Sequence, residues 1–196
     1  MAPFDALYRA SADPWGTNSR WYERRKRSLL LASLPRERYG SVFEAGCGTG
    51  HVSVGLAERC DALLAGDGSV PALAIASRAL AARPNATVVH QRLPQDWPQR
   101  RFDLIVLSEV LYFIDEAACR EVARAARASA GDTGTVVACN WRDAIDGWGH
   151  RGDQVHRRFA AALELPRLFE YEDDDFLLGA WSLDASTAAM RDGLRP

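Results

Sequence analysis

Val42-Phe43-Glu44-Ala45-Gly46-Cys47-Gly48-Thr49-Gly50 decides how this chain is read. A β-branched and aromatic pair runs into Glu44, and glycine then recurs at three alternate positions. A helical pattern follows from His51 to Cys60, with Val52, Leu56 and Ala57 on one face. A strand that ends in a glycine-rich turn and feeds a helix exposes backbone N–H groups to a ligand and lets it approach the main chain. The same pattern also fits a tight turn that binds nothing. The next strand favours the ligand: Ala62-Leu63-Leu64-Ala65-Gly66 ends in Asp67, seventeen positions after Gly50. In a nucleotide-binding βαβ unit, an acidic residue about that far along accepts hydrogen bonds from ribose hydroxyls.

The rest of the chain limits the possibilities. Its 196 residues suffice for one well-buried domain, 1–196, in which a helical lid (1–35) precedes an α/β core (36–184) and a polar tail (185–196). A net charge of −2 calls for neither nucleic acid nor an anionic membrane as partner. The four cysteines lie far apart without ligand spacing, so we expect reduced, partly buried thiols and no metal. The N-terminus lacks the pattern of a signal peptide and no apolar run approaches a membrane span, which reads as cytoplasmic.

Along the chain, Asp13-Pro14-Trp15-Gly16 is a turn signal, and Asn18-Ser19 offers a cap to a helix over 20–34 that Pro35 stops. Trp21 reads as a core residue of that helix. The pattern then predicts a helix over 70–83, strands over 86–91 and 102–108, a helix over 115–130 and a strand over 134–139. A helix over 153–165 and two strands, 167–172 and 176–183, flank the turn Asp173-Asp174-Asp175. Alternation of this kind implies right-handed βαβ units and a parallel sheet with helices on both faces.

Glu44 to Gly50 together with Asp67 resembles the cofactor signature of the class I S-adenosylmethionine-dependent methyltransferases. A dinucleotide enzyme would prefer glycine where this chain has His51. The resemblance implies a Rossmann-like fold of five parallel strands closed by a C-terminal antiparallel hairpin. It also implies S-adenosylmethionine as cofactor, S-adenosylhomocysteine as product, and contacts from Glu44, Gly46, Cys47, Gly48, Asp67, Gly68 and Ser69. Three further pieces are similar to the nodulation protein S family, which methylates an amino-sugar oligosaccharide: Asp13-Pro14-Trp15 with Trp21 to Lys26, Phe102 to Tyr112, and the Trp-Gly-His run at 148–150.

In such a lid Trp15 or Tyr22 covers the cofactor, or else packs its ring on the core, and Arg25 pairs with the methionine carboxylate. Arg92 stands where many relatives have an acid that contacts the adenine amine. This departure points to backbone groups, the face of Leu93 and a stacked Arg92 instead. Ser108 falls near the cofactor's amino group. Glu109 interrupts an apolar run and must meet a partner or a cleft. It binds or deprotonates an amine, aided by Tyr112, or it is a structural carboxylate. His150 and His156 are the candidate bases.

Methyl transfer to an amine does not strictly need a base. It needs nitrogen, carbon and sulfur held in line, and such orientation is worth on the order of 7–11 kcal/mol. The absence of clustered carboxylates favours nitrogen over a magnesium-assisted oxygen acceptor. The implied enzyme (EC 2.1.1) therefore methylates an amine on a small molecule or oligosaccharide, plausibly an amino sugar. An O-methyltransferase, a nicotinamide oxidoreductase and a non-catalytic adenosylmethionine-binding regulator are the alternatives.

Overall fold

In the computed structural model, which describes residues 3–145, 147 and 150–195, the chain falls into two compact units, Met1–Gln91 and Arg92–Pro196. The first unit runs α1 (Pro3–Ala10), α2 (Trp21–Ser33), β1 (Tyr39–Ala45), α3 (His51–Ala57), β2 (Cys60–Asp67), α4 (Val70–Ala79) and β3 (Ala86–His90). Its strands lie in the order β3-β2-β1, all parallel, with Val42 beside Leu63 and Asp67 beside His90. Val42, Phe43, Leu63, Ala65, Leu56 and Ala76 are fully or almost fully buried here. These β-branched, aromatic and small residues suit strands covered on both faces.

The second unit runs β4 (Leu104–Ser108), a 3₁₀ turn (Leu111–Phe113), α5 (Glu116–Ala130), β5 (Thr135–Trp141), α6 (Gly152–Leu163), β6 (Arg167–Glu172), β7 (Phe176–Trp181) and α7 (Ala188–Arg191). The order is β4-β5-β7-β6, with β4 and β5 parallel and β7 antiparallel to both its neighbours. The strands of the first unit are all parallel, and those of the second are mixed and end in the expected C-terminal antiparallel hairpin. Asp173 shapes the hairpin turn. Its Oδ1 accepts from the N–H groups of Asp175 (2.9 Å) and Phe176 (3.0 Å), and its Oδ2 from Tyr171 Oη (2.8 Å).

Several local expectations are corrected. Trp21 is 70% exposed, because α2 turns Lys26 and Leu30 inward instead. The cap of α2 is Arg20, without a side-chain bond, since Asp13 rather than Asn18 or Ser19 organises the turn. Its carboxylate accepts from Thr17 N–H (2.6 Å), Thr17 Oγ1 (2.8 Å) and Asn18 N–H (3.1 Å). Helix α3 stops at Ala57, because β2 begins at Cys60, whose partner is Tyr39. The apolar run after Ser108 becomes the 3₁₀ turn, and the polar tail contains the short α7, capped by Thr187. All four cysteines are free and buried. Among the described residues, no helix is long and apolar enough to cross a membrane.

Candidate active site

In the first unit, β1 delivers the chain into a turn where Gly46, Gly48 and Gly50 all have positive φ (75°, 54° and 84°). L side chains rarely adopt such values, so the glycine spacing is a requirement of the backbone. The N–H groups of Gly46 and Cys47 both donate to Gly66 O at 2.8 and 2.9 Å, tying the turn to the end of β2. Asp67 completes the tie: its Oδ2 accepts from Gly48 N–H and its Oδ1 from Ser69 N–H, each at 2.8 Å. Burial raises the Asp67 carboxyl and these two amides lower it. Each oxygen keeps an acceptor position for a ribose hydroxyl.

Glu44 lies 2% exposed behind the turn, accepting a short hydrogen bond from Ser53 Oγ. Burial, together with the Asp67 charge, pushes its carboxyl up to about 8. Burial also pushes the Cys47 thiol well up, helped by Glu44 and Asp67. Among the described residues, burial, Ser53 and Asp67 are what act on Glu44. Two carboxyl groups gathered at a glycine turn are suited to a ligand that brings its own sulfonium and ammonium, so these residues fit S-adenosylmethionine.

Helix α1 adds residues that sequence reasoning missed. Ser69 Oγ donates to Asp5 Oδ1 at 2.9 Å. The Tyr8 hydroxyl comes within 3.3 Å of where a Cβ on Gly48 would sit and is hydrogen-bonded to the Trp15 side chain. Burial and the nearby Asp67 charge raise that hydroxyl. Thr17 Oγ1 lies 3.4 Å from Thr49 Oγ1. The one signal was the helical spacing of Phe4, Leu7 and Tyr8. On α2, Lys26 Nζ sits 4.7 Å over the Tyr22 ring, and Arg25 is half-buried.

In the second unit, Glu109 has φ 59°, an uncommon state for a residue with a side chain. Its N–H donates to Cys139 O at 2.8 Å. Oε1 accepts from Trp141 N–H at 2.8 Å, and Oε2 from Tyr112 Oη at 2.9 Å. The carboxylate therefore clips the chain after β4 to the end of β5, as one of the two readings expected. Helix α6 begins flush against the same place. A Cβ on Gly152 would fall 1.6 Å from Trp141 O and 3.4 Å from Tyr112 Cδ1.

Ser108 is half-buried at the end of β4, beside Cys139. His150 is half-buried in the loop before α6, within electrostatic reach of Glu116. His156 is 1% exposed, its Nδ1 3.0 Å from Asn140 Nδ2, and burial lowers it to about 4. A histidine so enclosed is a neutral core residue, not a base open to an acceptor. Arg92 is exposed, with its guanidinium bound to Asp96 at 2.9 and 3.3 Å, while Leu93 is half-buried. Trp148 and Gly149 lie outside the described residues.

Residues 42–132 match the family model described as a methyltransferase domain. A proposed methyltransferase of known structure from Pseudomonas syringae is 45% identical, with 83% of this chain and 99% of that one covered and a TM-score of 0.74. This chain belongs to the class I S-adenosylmethionine-dependent methyltransferases. The methyltransferase also resembles nodulation protein S of Rhizobium tropici, at 30% identity over 144 residues and 72% of its own length; it spans 60% of that relative. The N-methyltransferase NodS of Bradyrhizobium japonicum, solved with S-adenosylhomocysteine, superposes with a TM-score of 0.81 at 25% identity, covering 90% of this chain and 95% of that one. The cofactor of this methyltransferase is S-adenosylmethionine.

Proposed function

We propose that the protein transfers a methyl group to an amine, with an amino-sugar oligosaccharide such as a partly deacetylated chitooligosaccharide as the acceptor class. The observation that carries this reading is the likeness to an N-methyltransferase over nine-tenths of the chain. Bound S-adenosylmethionine supplies an electrophilic methyl on a sulfonium. In our reading Gly46, Cys47, Gly48, Asp67, Gly68 and Ser69 hold the nucleoside side, and Trp15, Tyr22 and Arg25 close over it. Glu109, oriented by Tyr112 and the Trp141 amide, binds the acceptor's nitrogen and takes its proton. A positioned base contributes about 10²–10⁴-fold. His150 would be a second proton acceptor.

Mass spectrometry of products formed from S-adenosylmethionine and deacetylated chitooligosaccharides, free amines and phenols tests the reading. A single methyl on the sugar nitrogen, with one S-adenosylhomocysteine formed per methyl, is expected. Methylation confined to phenols would replace the amine reading with an oxygen one.

A further inference from the structure

The cationic donor and its neutral product share one site and differ there by one unit of charge. S-adenosylmethionine carries one net positive charge; S-adenosylhomocysteine, having lost the sulfonium, carries none. Among the described residues, Glu44 has one hydrogen-bond partner, Ser53, and lies at the back of the glycine turn with almost no exposed surface. We propose that Glu44 is the residue by which this site distinguishes donor from product: its carboxyl gives up a proton to solvent when the sulfonium cofactor binds and takes one back when the neutral thioether remains. The inference rests on the assignment of the cofactor to the glycine turn.

The surroundings support an exchange of this kind. Asp67 at the end of β2 disfavours a second negative charge at Glu44, and Ser53 from α3 is a neutral donor. The charged groups one step further out act on Asp67 rather than Glu44: Asp5 on α1 and His90 on β3. Tyr8 faces Asp67 and Cys47, and Arg27 acts on His51. Near neutral pH the free carboxyl, at about 8, holds its proton. A ligand cation replaces that proton as the balancing charge, whereas a neutral ligand leaves it in place.

Isothermal titration calorimetry at pH 7 in buffers of different ionisation enthalpy counts the protons exchanged. We expect release approaching one proton per S-adenosylmethionine bound and close to none for S-adenosylhomocysteine. The preference for donor over product in the wild type should rise about tenfold per pH unit below pH 7.5 and flatten above pH 8. Glu44→Gln should lose the proton release and the pH dependence of the preference. The wild-type series stands even if that variant fails to fold. Equal proton counts for the two ligands, or a preference independent of pH, would overturn the proposal alone. Binding of neither ligand would overturn the cofactor assignment beneath it.

Discussion

Asp67 holds two backbone amides at once, and through them the geometry of the whole glycine turn. Hydrogen bonds to a charged group contribute about 1.5–3 kcal/mol each, so losing a carboxylate that we propose also binds the ribose hydroxyls is costly twice over. Asp67→Ala should weaken S-adenosylmethionine binding at least about a hundredfold by calorimetry; wild-type affinity in that variant would refute the ribose role. Glu109→Gln keeps one acceptor oxygen for Tyr112 or Trp141 and removes the charge. We expect turnover to fall about tenfold to a thousandfold with cofactor affinity unchanged, and unaltered turnover would leave Glu109 a purely structural clip. Glu44, Gly46, Gly48 and Asp67 were legible in the sequence because their spacing is dictated by backbone geometry. Asp5 and Tyr8 were not, since they reach Ser69 and Gly48 across 64 and 40 positions of chain, and no local pattern encodes such a meeting.

Elements were legible where hydrophobic periodicity is strong and blurred where capping decides. The strands fall within a few residues of their expected bounds because apolar runs between turn residues leave little choice. Helix α2 shows the opposite: two good capping residues precede it, yet Asp13 captures the local N–H groups first. Trp21 was misplaced because residue type suggested a burial that the helix face does not provide. The 3₁₀ turn reflects Glu109, whose bonds to Tyr112 and Trp141 bend an apolar run away from β4. Helix α6 gives a direct test of this packing. Gly152→Ala places a methyl into Trp141 O and should destabilise by about 1–3 kcal/mol in urea denaturation, with turnover falling alongside. Gly68→Ala meets only an ordinary contact at 3.7 Å and should leave stability nearly unchanged.

For the whole molecule, two buried groups set opposite pH dependences. His156 titrates near 4 in the fold and 6.5 unfolded, so its contribution is complete above pH 6.5 and lost as pH falls through 4. That contribution is on the order of 3 kcal/mol. Glu44, raised from 4.5 to about 8, contributes below pH 4.5 and loses that contribution as pH rises through 8. The ligand-free protein should therefore lose stability between pH 6.5 and 8, a window in which Glu44 titrates in the fold. Denaturation curves of Glu44→Gln should be flat over that window, and a persistent slope would assign it elsewhere. Cofactor present at a hundred times its Kd should add about 2.7 kcal/mol. The fold class, the cofactor turn and the hairpin could be read from sequence at this scale. The acceptor could not, because no local sequence pattern encodes which side chains would meet it.

A crystal structure with S-adenosylhomocysteine bound tests the central claim most directly, through the distance from the Asp67 carboxylate to the ribose hydroxyls. Separations of roughly 2.6–3.2 Å, with the bonds to Gly48 and Ser69 retained, are expected. A ribose beyond hydrogen-bond reach of Asp67, or a nucleoside seated away from the glycine turn, would contradict the account.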